Sequence, residues 1–105
     1  MIHHLVLCKL APEADEARIE WLMRQAKSNL LKIPEVLSVR CGRNLDASSE
    51  WGFFFATDFH STDQMAAYAE HPVHLKFVEN VILPYTTDRL ILDYEMEPGK
   101  NLLYS

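Results

Sequence analysis

Trp51-Gly52-Phe53-Phe54-Phe55-Ala56-Thr57-Asp58-Phe59 is the segment whose reading decides how this chain folds. Aromatic residues dominate it, as in strands that pack on a pleated surface. Successive side chains of a strand point to opposite faces, so Phe53 and Phe55 share one face while Phe54 and Ala56 share the other. Large apolar groups on both faces require cover on both sides. Residues 2–10 repeat the pattern: His4, Val6, Cys8 and Leu10 fall on one face, and His3, Leu5, Leu7 and Lys9 on the other. A sheet built from two such strands needs helices on one side and a further partner on the second.

The segments around these strands supply the helices. Pro12 suits the first turn of a helix, with Glu13, Asp15 and Glu16 placed for the positive end of its dipole. Ile19, Leu22, Met23, Ala26 and Leu30 then recur at helical spacing and form one apolar stripe. Trp21 lies off that stripe; an exposed ring, packing at the helix edge and contact with a partner chain all suit it. Ile33-Pro34 ends this helix, because the residue before proline is pushed out of the α region. Val36 to Cys41 reads as a second strand closed by Gly42. A second helix opens at Ser61-Thr62, either of which can cap it, with Met65, Ala66, Tyr68 and Ala69 inward. His71-Pro72 breaks it, and a short helix to about Ile82 follows with Leu75, Val78 and Ile82 inward. Thr87 to Met96 is the last strand.

The order βαββαβ, with the second helical region split, is that of an α+β ferredoxin-like sandwich: four antiparallel strands and both helices on one face. The uncovered apolar face predicts a homodimer packed sheet to sheet. At 105 residues the chain is one small domain, a size at which association adds useful stability. Its net charge of -5 and scattered Lys and Arg exclude a phosphate-tracking surface, so no nucleic-acid partner is expected. No apolar run approaches the roughly 20 residues of a membrane span, which gives the expectation of a cytoplasmic protein without a membrane partner. Cys8 and Cys41 lack the spacing of a zinc site, and no metal or cofactor is expected. An apolar strand also disfavours Cys8 as a nucleophile.

Tyr68-Ala69-Glu70-His71-Pro72-Val73-His74 is the stretch that suggests chemistry. It places a phenol and two imidazoles across a helix break. His71 suits the junction itself. His74 falls in the first turn of the short helix, where the dipole disfavours imidazolium and keeps a neutral base available. A phenol donating to a carbonyl oxygen while a neutral imidazole takes the neighbouring carbon's proton needs no metal. The plainer reading has Tyr68 packing against the first helix and His74 bonded to backbone near a helix start. Antiparallel pairing of the first and last strands brings His4 towards Asp93, which then accepts from a histidine N–H and fixes its tautomer. Val6, Cys8, Met23, Phe53, Phe55 and Ile91 are the expected apolar lining of a cavity for a small apolar or aromatic ligand.

The run His4-Leu5-Val6-Leu7 with Lys9, then Ile33-Pro34, Gly42-Arg43-Asn44-Leu45, the Tyr68–His74 stretch and Arg89-Leu90-Ile91-Leu92-Asp93-Tyr94 together resemble the stress-responsive A/B barrel (Dabb) domains. The resemblance covers residues 1–96 and leaves 97–105 as a C-terminal tail. It implies a dimeric α+β barrel. Many members have no assigned activity, whereas olivetolic acid cyclase-like plant members close an aromatic ring without a cofactor, by aldol chemistry. By this resemblance the catalytic pair falls on Tyr68 and His74, with His4 and Asp93 supporting. Ala26 and Phe53 stand where the cyclase would carry a larger aromatic residue and a polar ring, so a pocket of different shape and polarity is expected. The resulting expectation is a pocket for a small organic molecule with cyclase- or lyase-like acid–base chemistry. The rivals are a non-catalytic stress or assembly protein and, behind it, a cofactor-free monooxygenase.

Overall fold

A computed structural model describes residues 1–97 of the chain; the tail residues Pro98 to Ser105, with Leu102, Leu103 and Tyr104, lie outside the described residues. Nine elements follow one another: β1 (Ile2–Leu10), α1 (Glu16–Leu30), β2 (Ser38–Arg43), β3 (Phe53–Phe59), α2 (Thr62–Glu70), α3 (Pro72–Phe77), a π turn (Val78–Ile82), a 3-10 turn (Leu83–Tyr85) and β4 (Thr86–Glu95). The strands form one four-stranded sheet in the order β2-β3-β1-β4. All three pairings are antiparallel. This is the ferredoxin-like α+β sandwich.

Alternation sorts the sheet into two faces. Val6 and Cys8 of β1 pair with Phe55 and Phe53 of β3, and all four side chains are buried beneath the helices. Leu22, Ala26 and Leu30 of α1 close that layer, joined by Phe59, Tyr68, Phe77 and Ile82. The other face carries Leu5, Leu7, Phe54 and Leu92, only partly buried, and Leu90 and Tyr94, which are exposed. No helix among the described residues is long and apolar enough to cross a membrane.

The boundaries differ from the expected ones for local reasons. Pro12 lies outside α1, in a turn closed by the Ala14 N–H to the Ala11 carbonyl at 3.0 Å. The helix starts later because the Asp15 carboxylate accepts from the Arg18 N–H at 2.8 Å, a cap worth about 1 kcal/mol. β2 begins at Ser38 and runs through Gly42 instead of stopping there. Gly42 sits opposite Phe54, and a Cβ at Gly42 would fall 2.9 Å from the Phe54 ring. The glycine is thus a seat for an aromatic ring within the strand. Trp21 packs at the helix edge, its ring 5.5 Å from that of Tyr85, with the Arg18 guanidinium over both rings.

The largest departure follows α3. Leu75 is 53% exposed, and the inward positions are Phe77, Val81 and Ile82. The Leu83 N–H bonds to the Val78 carbonyl, five residues back. This wider turn breaks the α-helical spacing on which Leu75 was placed inside.

Candidate functional site

The site begins at the break between α2 and α3. Ser61 Oγ caps α2 by accepting from the Gln64 N–H at 3.2 Å. His71 follows the last turn with extended backbone, ψ 134°, as a residue before proline prefers. Its imidazole Nδ1 accepts from the Val73 N–H at 3.1 Å, which makes His71 the cap of α3, while Pro72 occupies the first helical position, where no N–H is needed. The bend returns the chain on itself. Tyr68 and His74, on opposite sides of it, come together with ring centroids 4.3 Å apart.

His74 Nδ1 donates to the Ala69 carbonyl at 3.0 Å, which leaves Nε2 as the ring's lone-pair nitrogen. Burial holds the His74 imidazole below its ordinary pKa; the Ala69 carbonyl opposes this, and the neighbouring His4 and His71 add to it. A neutral ring is thus favoured, with burial rather than the helix terminus as the main cause. Tyr68 is 1% exposed, and its hydroxyl has no hydrogen-bond partner among the described residues. The Thr57 hydroxyl, buried and likewise outside full hydrogen-bond geometry, lies close enough to interact weakly with the phenol oxygen. Burial pushes the Tyr68 phenol up, partly offset by Thr57, so the O–H remains a donor.

His4 stands edge-on to Tyr68, with ring centroids 5.9 Å apart. It lies directly opposite Asp93 in the β1–β4 ladder, and its Nδ1 is hydrogen-bonded to the Asp93 carboxylate. Donation from Nδ1 leaves the His4 Nε2 unprotonated when the ring is neutral.

These groups line a cavity of about 380 Å³ between the sheet and α2–α3. Of the expected residues, His4, Val6, Phe55, Tyr68, His74, Ile91 and Asp93 lie on its wall. Cys8, Met23 and Phe53 do not. Strand alternation gave Cys8 and Phe53 the correct face but not their position along it. They pair with each other farther along β1 and β3 and are fully enclosed in the core. Met23 belongs to α1, which packs over β2, and its carbonyl faces the Cys41 thiol at 3.6 Å. Burial pushes the Cys8 thiol up to about 12, the charge of Arg89 opposing it in part.

Sequence reasoning missed Thr62, Met65, Ala66 and Ala69 of α2 as wall residues, with Val78, Ile82 and Arg89. Arg89 was within reach of the same reasoning, since alternation along β4 puts residues 89, 91 and 93 on one face. Among the described residues no three His, Cys, Asp or Glu side chains converge as a metal-holding group.

A second polar cluster lies on the opposite sheet face. Asp58 bonds His3 Nδ1 with one oxygen and accepts from Ser38 Oγ with the other, both at 2.6 Å. Burial pushes the Asp58 carboxyl up, but the bonds to Ser38 and His3 outweigh it and hold the group below the usual carboxylate range.

Comparison with known proteins fits this architecture. The chain is 24% identical over 96 residues to a stress-response A/B barrel domain-containing protein of Arabidopsis thaliana, covering 90% of this chain and 36% of that protein. It thus spans about a third of that relative's length. A dimeric ferredoxin-like protein of unknown function from Thermobifida fusca superposes with a TM-score of 0.79 at 23% identity, over 90% of each chain. A hydroxynitrile lyase from Passiflora edulis superposes with a TM-score of 0.77 at 19% identity, over 95% of this chain and 96% of the lyase. The model of the stress responsive A/B barrel domain matches residues 2–96, and the chain belongs to that family.

Proposed function

We propose that the cavity binds a small organic carbonyl compound and performs cofactor-independent acid–base chemistry of a cyclase or lyase type. One observation carries this reading: a buried, unpartnered Tyr68 hydroxyl beside an imidazole whose other nitrogen is already committed to backbone. In the proposed step, His74 Nε2 takes a proton from a carbon next to the substrate carbonyl. The C–H electron pair moves to the carbonyl oxygen as an enolate, and the Tyr68 O–H donates to that oxygen. The enolate carbon then attacks a second carbonyl, closing a ring, as that carbonyl's π pair becomes an alkoxide that takes back the proton held on His74 Nε2. Run in reverse, the same proton traffic cleaves a carbon–carbon bond, and the fold likeness to a lyase is compatible with that direction. His4, held by Asp93, completes the polar end of the cavity.

In this proposal the protein works as a homodimer, with the Leu5, Leu7, Phe54 and Leu92 face covered by a second copy. The exposed Leu90 and Tyr94 on that face support it. So does the dimeric state of the Thermobifida fusca protein of the same fold. The free thiols Cys8 and Cys41 suit the reducing cytoplasm, where we place the protein.

A second reading has its own observation. The His74 bond to the Ala69 carbonyl also suits a structural histidine, in a protein whose faces serve assembly alone. The deciding experiment screens small aldehydes, ketones and cyanohydrins for turnover. His74→Ala and Tyr68→Phe are expected to lower the rate by about 100-fold or more with the fold intact. An identified reaction whose rate both variants leave unchanged would sink the catalytic reading.

A further inference from the structure

We infer that Arg89 is the anchoring group of the cavity and that its ligand carries a single carboxylate on an apolar body. The inference rests on the cavity being the functional site and specifies what class of molecule that site accepts. Among the described residues Arg89 is the one Lys or Arg on the cavity wall. Among the described residues it has no carboxylate within ion-pair distance; the ion pairs engage Lys9, Arg43, His3 and His4 instead. The cavity's own carboxylate, Asp93, is bonded to His4. Asp93 also stands four residues farther along β4, about 13 Å at the usual strand rise. A half-buried cation without a counter-charge is costly, and a ligand anion supplies what the protein does not.

The guanidinium is also aimed. Arg89 Nη1 donates to Thr86 Oγ1 at 2.8 Å, and that hydroxyl donates onward to the Ile82 carbonyl at 2.8 Å. Thr86 is buried, so this relay is sheltered from solvent. It occupies one of the five guanidinium N–H groups and leaves the rest of the planar fork for a carboxylate.

The remaining wall selects the rest of the ligand. Val6, Phe55 and Ile91 stand along the sheet between the Arg89 and the His4–Asp93 pairs, and they call for an apolar body. A phosphate dianion would bring a second negative charge with no second Lys or Arg among the described wall residues to meet it, so the chemistry favours a monoanion. The geometry describes a carboxylic acid whose reactive carbonyl lies several bonds from the acid group, with the acid on Arg89 and the carbonyl beside Tyr68 and His74.

The test is an NMR titration of the full chain with three probes sharing one body: 4-phenylbutyrate, 4-phenylbutanamide and 4-phenylbutyl phosphate. The acid is expected to bind about tenfold or more tightly than the amide and to shift amides around Ile91 and Met65. Arg89→Gln is expected to bring acid and amide within about twofold of each other. Thr86→Val keeps the charge but removes the acceptor that aims it, and should give an intermediate preference. Equal binding of acid and amide to the unaltered protein, or a preference that survives Arg89→Gln, overturns the role of Arg89 and leaves the His74–Tyr68 reading standing. Tighter binding of the phosphate overturns the monocarboxylate. Failure of all three probes to perturb the cavity overturns this inference together with the cavity reading beneath it.

Discussion

His4 and Asp93 face each other across the β1–β4 ladder, and the imidazole Nδ1 is hydrogen-bonded to the carboxylate. Strand register alone makes this pair, so no loop has to be ordered to form it. The neutral His4 ring should therefore show a single Nδ1-protonated tautomer in ¹⁵N-detected imidazole spectra. Asp93→Ala is expected to abolish that uniform state. Because Asp93 is substantially exposed, stability should fall by only about 0.5–1 kcal/mol in chemical denaturation. An unchanged tautomer in the variant would mean that another group orients the ring.

His74 gives a pH prediction. Its folded-state pKa is depressed, chiefly by burial, so its NMR titration midpoint should lie below the ordinary imidazole value of about 6.5. Between the two values the unfolded chain binds a proton that the native ring refuses, so stability falls as pH drops through the ordinary value and levels off once the native ring is protonated. His74→Gln should flatten that part of the stability profile.

Gly42 is expected to tolerate no side chain while Phe54 is present. Gly42→Ala places a methyl against the Phe54 ring and should cost about 1–2 kcal/mol. Much of that loss should vanish in the Gly42→Ala, Phe54→Leu double variant, giving a measurable coupling energy in denaturant titrations. Independent, additive losses would show that the ring moves aside freely.

The uncovered sheet face yields a test of assembly. Leu92→Glu puts a charge among Leu5, Leu90 and Tyr94 without entering the helix-side core. Light scattering behind size exclusion should show a dimer for the natural sequence and a monomer for the variant, with helical circular dichroism unchanged. A natural sequence that is monomeric at micromolar concentration would refute the dimer.

The two thiols should separate by reactivity. Burial pushes both upward, Cys8 to about 12, while Cys41 is only half-buried. Timed iodoacetamide labelling at mildly alkaline pH, read by mass spectrometry, should modify Cys41 first and Cys8 only as the domain opens.

Much of the fold was legible because it is written in periodicity. The two-faced pattern of residues 2–10 and 53–59 prescribes a sheet with an apolar surface on each side, and His71-Pro72 prescribes the split helix. Periodicity assigns a face and is silent about distance along it. That is why Val6 and Phe55 reach the cavity wall whereas Cys8 and Phe53, two residues along the same strands, are sealed in the core. Met23 was misplaced for a related reason: a helix stripe does not say which strands the helix will cover. Leu75 was placed inside by α spacing from Ile82, and the spare residue of the widened turn between them breaks that count, so the inward position falls on Phe77. Arg89 was passed over as part of a hydrophobic-looking strand, although its alternation with Ile91 and Asp93 was in view.

That widened turn can also be considered as a matter of insertion and deletion. A π turn is an α-helical turn with one residue to spare, and here the spare residue lies within Val78–Ile82. Removing the exposed Asn80 would restore ordinary α spacing, in which four steps of about 100° bring Ile82 round to nearly the side of Phe77 that it now reaches in five wider ones. The Ile82 carbonyl would keep its direction toward Thr86, and the chain of contacts that ends at the Arg89 guanidinium would keep its first link. The turn is thus the one place in this helical stretch where a residue can be lost without misdirecting the charge inside the cavity, whereas a deletion within α3 would turn everything after it by about 100°.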